Sequence, residues 1–295
     1  MNPVSPTELI GIQEDIAIRQ ASPSPLPLNL RELVEQYNRD GYLIVRGLLS
    51  SEEVEEIRAI FSRIHEQAVI PGFYDRTKPC DGVTNPEDPL FRYPRVMMPH
   101  RFNPRARHYL LHPKVCAVVE TLVGGEPVAT QSMFFYKPPG ARGQAMHQDE
   151  FYLLVEPGTC MAAWTAIDDA DAENGGMMIV PQTQDLELFC NPEKADSKES
   201  FAKQRVPIPK GARPVLAEMK AGDTLFFNGS AIHGSGPNRS KERFRRSFIA
   251  HYARGDLRKI SHWYLPLVRM DGTDFEVEKQ NKGGPCGDGW DGATH

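Results

Sequence analysis

Gln131-Ser132-Met133-Phe134-Phe135-Tyr136 is a short, mostly apolar run that stops at Lys137-Pro138-Pro139-Gly140. The same pattern recurs at 151–155, 161–167, 177–180, 214–217, 224–227 and 247–252, each time between turns rich in Pro, Gly or Asn. Runs too short for a helix, apolar or aromatic, and bounded by turn formers are what the strands of a sandwich or barrel look like. They predict a mainly β (α+β) chain whose C-terminal part is a double-sheet jelly roll.

Upstream of Val128 the periodicity is helical. A helix is expected from Leu30 to about Gly41, followed by a buried strand at 42–45. Ser50 and Glu53 form a capping box, and Val54, Ile57, Ile60, Phe61 and Ile64 make an apolar stripe at helical spacing behind it. A further helix fits 113–122, with Val115, Val118, Val119 and Leu122 inward and Gly124 past its end. Between them, 71–104 holds seven prolines and reads as a long surface loop. The segment 186–210 is polar and helix-prone, and could form an inserted lid. The expected organisation is an N-terminal arm over 1–28, one domain over 29–282 with a helical layer packed on the jelly roll, and a mobile tail over 283–295. There is no internal repeat.

The charge balance of 34 basic against 39 acidic residues, a net of −5, disfavours a nucleic-acid partner. No stretch approaches the ~20 apolar residues that span a bilayer. The first twenty residues lack a secretory signal and the C-terminus is no receptor-read address, so a cytoplasmic protein is expected. The five cysteines have no metal-type spacing and are expected to be reduced, separate thiols.

The chemistry starts at His147-Gln148-Asp149. On a strand, residues two apart share a face, so the imidazole and the carboxylate are expected to converge. A third ligand must come from elsewhere, and His233, just after the apolar run 224–227, is the strongest candidate. Two His and one carboxylate leave three positions open on an ion, the arrangement of non-haem iron(II) oxygenases. Arg243-Phe244-Arg245-Arg246-Ser247 follows. A dicarboxylate co-substrate that chelates the metal through its keto-acid end needs a planar cation for its far carboxylate, which Arg offers. Arg245 and Ser247, two apart, are expected on one strand face. A solvated basic edge is the bland alternative for this cluster.

These motifs, with Asp40-Gly41-Tyr42, 135–140 (Phe-Tyr-Lys-Pro-Pro-Gly), 164–169 (Trp-Thr-Ala-Ile-Asp-Asp), Glu173-Asn174-Gly175-Gly176 and His233-Gly234-Ser235-Gly236, resemble the phytanoyl-CoA dioxygenase family of iron(II)/2-oxoglutarate oxygenases, from about Arg31 to Tyr252. The resemblance implies a double-stranded β-helix (jelly roll, cupin-like) with His147, Asp149 and His233 as iron ligands. It also implies Arg245, Ser235, Met133 and Trp164 as 2-oxoglutarate contacts, with Arg95 where the family can have a Lys. Gln131 shares a strand face with Met133 and should look toward the metal, and Ser247 adds a hydroxyl. Met97 and Phe151 are candidate substrate contacts. The implied cofactors are iron(II), 2-oxoglutarate and O2, and the implied reaction is hydroxylation of a C–H bond in a small organic metabolite, with succinate and CO2 released.

The chain also departs from the pattern. The spacing from the distal His to Arg245 is one residue longer than expected, which leaves Arg246 as a rival; the Phe244-Arg245 pair and the distance to Tyr252 favour Arg245. Gln182-Thr183-Gln184 stands after Pro181 where Gly-Ser-His is usual. Asp149 fills the position that related halogenases keep small, so halogenation is disfavoured. Two other readings remain open: a zinc or manganese cupin of another class, and a non-catalytic binding module. Desaturation or ring closure at the same centre is also compatible. Substrate identity and oligomeric state are not legible.

Overall fold

The strand residues divide by parity into two cores, and that division defines the architecture. In the computed structural model, which describes residues 30–79, 83–280 and 286–287, an eight-stranded antiparallel sheet runs in the order Tyr42–Val45, Thr224–Asn228, Met161–Ala166, Ser247–Arg254, Pro127–Phe135, Leu267–Arg269, Asp274–Phe275, with Val96–Met97 also paired to Pro127–Phe135. A four-stranded sheet, Val215–Ala217, Met177–Ile179, His233–Ser235 and Gln144–His147, faces it. Along Ser247–Arg254, Phe248, Ala250 and Tyr252 pack outward among Ile57, Phe61 and Val118 of the helices. Ile249 packs inward with Met133, Trp164, Met177 and Phe227, between the sheets. Successive side chains on a pleated strand point to opposite faces, so one strand serves both cores.

The helical layer is where its patterning puts it. The helix Ser51–Gln67 is closed by the Ser50/Glu53 capping box and buries Val54, Ile57, Ile60, Phe61 and Ile64. Each such side chain is worth roughly 1.5–3 kcal/mol relative to exposure. The helix Pro113–Val123 buries Val115, Val118 and Val119 and ends at Gly124, whose φ of +69° suits glycine; Leu122 is only partly buried against the same core. A helix over Leu30–Asp40 precedes the strand Tyr42–Val45. No described helix is long and apolar enough to cross a membrane.

Several expectations fail. The apolar run 151–155 is not a strand: Glu150–Leu153 forms one helical turn, because the buried Glu150 carboxylate accepts bonds from the Val155 and Cys160 N–H groups and the Thr159 hydroxyl and curls the chain around itself. The stretch 71–104 is not all loop, since Val96–Met97 joins the large sheet and Pro89–Arg92 is helical. A further helix forms at Pro104–Leu110, N-capped by Asn103. The segment 186–210 contains no helix; it carries a two-stranded ribbon, Glu193–Lys194 with Gln204–Arg205. Cys190 and Cys286 are not separate reduced thiols but a disulfide, with Cα atoms 5.1 Å apart. Cys116 and Cys160 are free. The expectations for residues 1–28, Cys80 and most of 283–295 fall outside the described residues.

Candidate metal centre

His147 and His233 are direct cross-strand partners, on Gln144–His147 and His233–Ser235 of the small sheet. Antiparallel pairing places their rings side by side, with centroids 4.1 Å apart. Each ring is oriented the same way: Nδ1 of His147 donates to Ala145 O and Nδ1 of His233 to Ala231 O, both at 2.9 Å. A carbonyl can only accept, so the proton sits on Nδ1 and Nε2 is the nitrogen turned to the site. Burial, followed by the neighbouring His233, pushes the His147 imidazole pKa down, which favours the neutral ligand form.

Asp149 reaches the same point by a different route from the one expected. The strand ends at His147, and Asp149 has helical backbone angles (φ −64°, ψ −32°) at the start of the Glu150–Leu153 turn. Its Oδ1 lies 3.4 Å from Nε2 of each histidine. Strand parity does not account for the convergence; the strand-to-helix corner is what turns the carboxylate inward. Gln148 stabilises that corner from the other side, donating to Ser230 O (2.9 Å) and accepting from Phe189 N–H (2.8 Å). The ligand atoms of His147, Asp149 and His233 all lie within 4.8 Å of one another, and all three residues are buried.

Two imidazole nitrogens and one carboxylate oxygen on one side of a point match the donor set of a mononuclear non-haem iron(II) site with open positions. A supporting contact strengthens the fit: His251 Nε2 lies 3.0 Å from Asp149 Oδ2, holding that oxygen so that Oδ1 faces the histidines. No sequence motif above singles out His251. Its position, two after Ile249 and four after Ser247 on one strand face, is the signal that could have identified it.

The pocket around this cluster is lined by Arg95, Met133, Trp164, Ser235 and Arg245, along with Phe227, Met177, Ile249 and Lys137. Arg245 is 3% exposed. Its Nη1 donates to Ser247 Oγ (3.0 Å), its guanidinium lies 5.1 Å from the Trp164 ring centre, and its Nε has no hydrogen-bond partner among the described residues. Burial pushes its pKa down to about 9, which leaves it charged at neutral pH. A buried guanidinium with an orphaned N–H and no ion pair among the described residues fits an anionic co-substrate arm.

Arg246 points the other way. Its backbone N–H, Nε and Nη2 all reach Asp168, at 2.9, 2.8 and 2.8 Å. Arg245 precedes the strand Ser247–Arg254 rather than lying on it, yet its side chain and that of Ser247 still meet.

Four of the expected residues do not line this pocket. Ser247 is fully buried behind Arg245. Gln131 is fully buried opposite His251, with neither amide atom hydrogen-bonded among the described residues. Met97 sits beside Met133 in the sheet. Phe151 borders a smaller adjoining pocket that also touches His147. Arg95 does line the main pocket, with its guanidinium 5.3 and 5.4 Å from the Phe135 and Phe201 ring centres.

The family model described as phytanoyl-CoA dioxygenase (PhyH) matches residues 37–247. The peroxisomal phytanoyl-CoA dioxygenase of Rattus norvegicus is 28% identical over 232 residues, covering 76% of this chain and 68% of that protein. The probable phytanoyl-CoA dioxygenase of Caenorhabditis elegans is 29% identical over 252 residues, covering 82% and 78%. Among solved structures, the epimerase SnoN in complex with Fe3+, alpha ketoglutarate and nogalamycin RO is similar at a TM-score of 0.60 and 23% identity, over 81% of this chain and 85% of that one. The carbocyclase SnoK from nogalamycin biosynthesis is similar at 0.62 and 22%, over 77% and 85%. These last two likenesses show the shared fold.

Proposed function

This chain belongs to the phytanoyl-CoA dioxygenase family, and from that premise we propose how its own residues carry an iron(II)- and 2-oxoglutarate-dependent oxidation. It is a 2-oxoglutarate-dependent dioxygenase, an oxidoreductase acting on a small molecule. Iron(II), when bound, would supply the oxidising power from O2 as 2-oxoglutarate is converted to succinate and CO2. His147, Asp149 and His233 would hold the metal, each imidazole aligned by its Nδ1–H bond to a backbone carbonyl. His251 keeps Asp149 Oδ2 occupied, which leaves Oδ1 for the ion. Arg245 would receive the far carboxylate of 2-oxoglutarate, with Ser247 and the Trp164 face fixing its guanidinium. Met133, Phe227 and Ile249 make the apolar walls that keep water from the reacting centre.

The substrate reaction is read as hydroxylation of a C–H bond in a small organic metabolite. The observation that carries the whole reading is a buried His-Asp-His cluster sharing one pocket with a buried arginine that has no ion-pair partner among the described residues. Anaerobic iron(II) plus 2-oxoglutarate should give a charge-transfer absorption band in the wild type. That band, and succinate release, should be lost in His147→Ala, Asp149→Ala and His233→Ala with the fold intact. Near-wild-type succinate formation by any two of these variants would sink the metal assignment. Screening metabolites for stimulated succinate release identifies the substrate.

A further inference from the structure

Lys137, in the 135–140 motif, has no task in the reading above, yet three separate motifs converge on it. Its side chain is buried, and Nζ donates to Gly175 O and to Ser235 Oγ, both at 2.9 Å. An ammonium has three N–H donors. Two meet neutral oxygens, and the residue lines the same pocket as Arg245. Among the described residues neither cation is ion-paired to a carboxylate. The carboxylate that shares this pocket, Asp149, faces His147, His233 and His251, so two buried like charges near one another are unfavourable unless an anion arrives. Burial first, and then the charge of Arg245, pull the Lys137 pKa well below the usual lysine range.

The backbone is bent to maintain this arrangement. Lys137 has a φ of +41°, uncommon for a residue with a Cβ. Its carbonyl accepts from Asn238 Nδ2 at 3.0 Å and from the Arg245 N–H at 3.1 Å, so the segment that presents one cation also ties down the other. Gly175 (φ +74°) leaves room for the ammonium: a Cβ there would lie 2.8 Å from both Cε and Nζ of Lys137. The Lys-Pro-Pro-Gly, Asn-Gly-Gly and Gly-Pro-Asn elements thus meet at one residue, the last through the Lys137 carbonyl.

We propose that Lys137 is a second cationic contact for the far carboxylate of 2-oxoglutarate, acting with Arg245 and Ser235 to select oxo acids that carry two negative charges. The inference rests on the 2-oxoglutarate reading above. It differs from a purely structural strut between Gly175 and Ser235 in one measurable respect. A strut would support any ligand of the pocket equally, whereas a charge contact favours only those with the far carboxylate.

The test compares 2-oxoglutarate with 2-oxopentanoate, which has a methyl group in place of that carboxylate. Binding is followed by the charge-transfer band of the iron(II)-loaded protein under anaerobic conditions. Lys137→Met should weaken 2-oxoglutarate binding by roughly 10- to 100-fold, as loss of a charged hydrogen bond does. The same substitution should change 2-oxopentanoate binding by less than about threefold, so the preference between the acids shrinks, and Lys137→Arg should restore most of it. Equal weakening of both acids, or unchanged 2-oxoglutarate binding, would overturn the proposal. Should Lys137→Met not fold, wild-type protein with 15N-labelled lysine Nζ and zinc(II) in place of iron decides the matter. Its slowly exchanging buried Nζ signal should move with 2-oxoglutarate and stay in place with 2-oxopentanoate, and the same shift with both acids would overturn the contact. A wild type that binds no 2-oxoglutarate at all would overturn the parent reading as well.

Discussion

Substituting Met for Arg245 and, separately, for Arg246 should move two observables in opposite directions. Arg245 is 3% exposed, and its hydrogen bond is to the neutral Ser247 hydroxyl. In the absence of ligand its charge is buried without compensation, so an apolar side chain of similar length should leave the metal-free protein as stable as before, or up to about 1–4 kcal/mol more stable. The same substitution leaves the far carboxylate of 2-oxoglutarate buried without a charge partner. That loss is typically about 3–5 kcal/mol, or roughly 10²–10³-fold in affinity. Arg246 is different. Its three bonds to Asp168 are partly buried, with side-chain exposures of 24% and 15%, and Asp168 keeps a second, longer contact to Arg58 at 3.3 Å. Arg246→Met should therefore lower stability by about 1–2 kcal/mol and change the 2-oxoglutarate requirement less than about threefold. The assay takes two numbers per variant: the apparent KM for 2-oxoglutarate at saturating iron, and the urea midpoint of the metal-free protein. A large KM effect on Arg246 would refute the reasoning, and so would a stability loss above about 2 kcal/mol in Arg245→Met with KM unchanged.

Three further outcomes follow from individual contacts. His251→Phe removes the bond to Asp149 Oδ2 and should weaken iron(II) binding about 10- to 100-fold; a competition titration giving wild-type affinity would contradict the supporting role. Ser50→Ala removes the acceptor for the Glu53 N–H and should reduce stability by about 1 kcal/mol, seen as a lower urea midpoint at unchanged KM for 2-oxoglutarate. Burial alone would raise the Glu53 carboxyl pKa, but bonds from His112, Lys114 and the Ser50 N–H outweigh it and bring the value to about 2. A folded pKa below the unfolded 4.5 means stabilisation present above pH 4.5 and lost as pH falls through about 2. Glu53→Gln should flatten the acid limb of stability against pH, and a limb as steep as the wild type's would show that the carboxylate contributes nothing there.

Much of this molecule is legible before folding because the relevant forces are local. The runs at 161–167, 177–180, 224–227 and 247–252 are strands because apolar runs between turn formers have few other options, and Ser50 to Ile64 is a helix because cap and stripe lie within a few turns of each other. Residue types and short motifs also offered His147, Asp149, His233 and Arg245 as candidates, with Arg246 as a rival, since few side chains can ligate a divalent ion or clasp a carboxylate. Local pattern fails where a distant partner decides. Residues 151–155 look like a strand until Glu150 wraps Thr159 and Cys160 around its carboxylate. The two histidines become neighbours only because His233–Ser235 pairs with Gln144–His147 in one register, and a slip by one residue would turn one ring to the far face. Arg246 turns to Asp168 while Arg245 lines the pocket, His251 is held by Asp149, and Cys190 is joined to Cys286, each a contact between residues far apart in sequence. Composition and periodicity determine which elements form and which chemistry the chain can carry. Which atoms meet is set by strand register and by buried charges that must find partners, and those are properties of the folded whole.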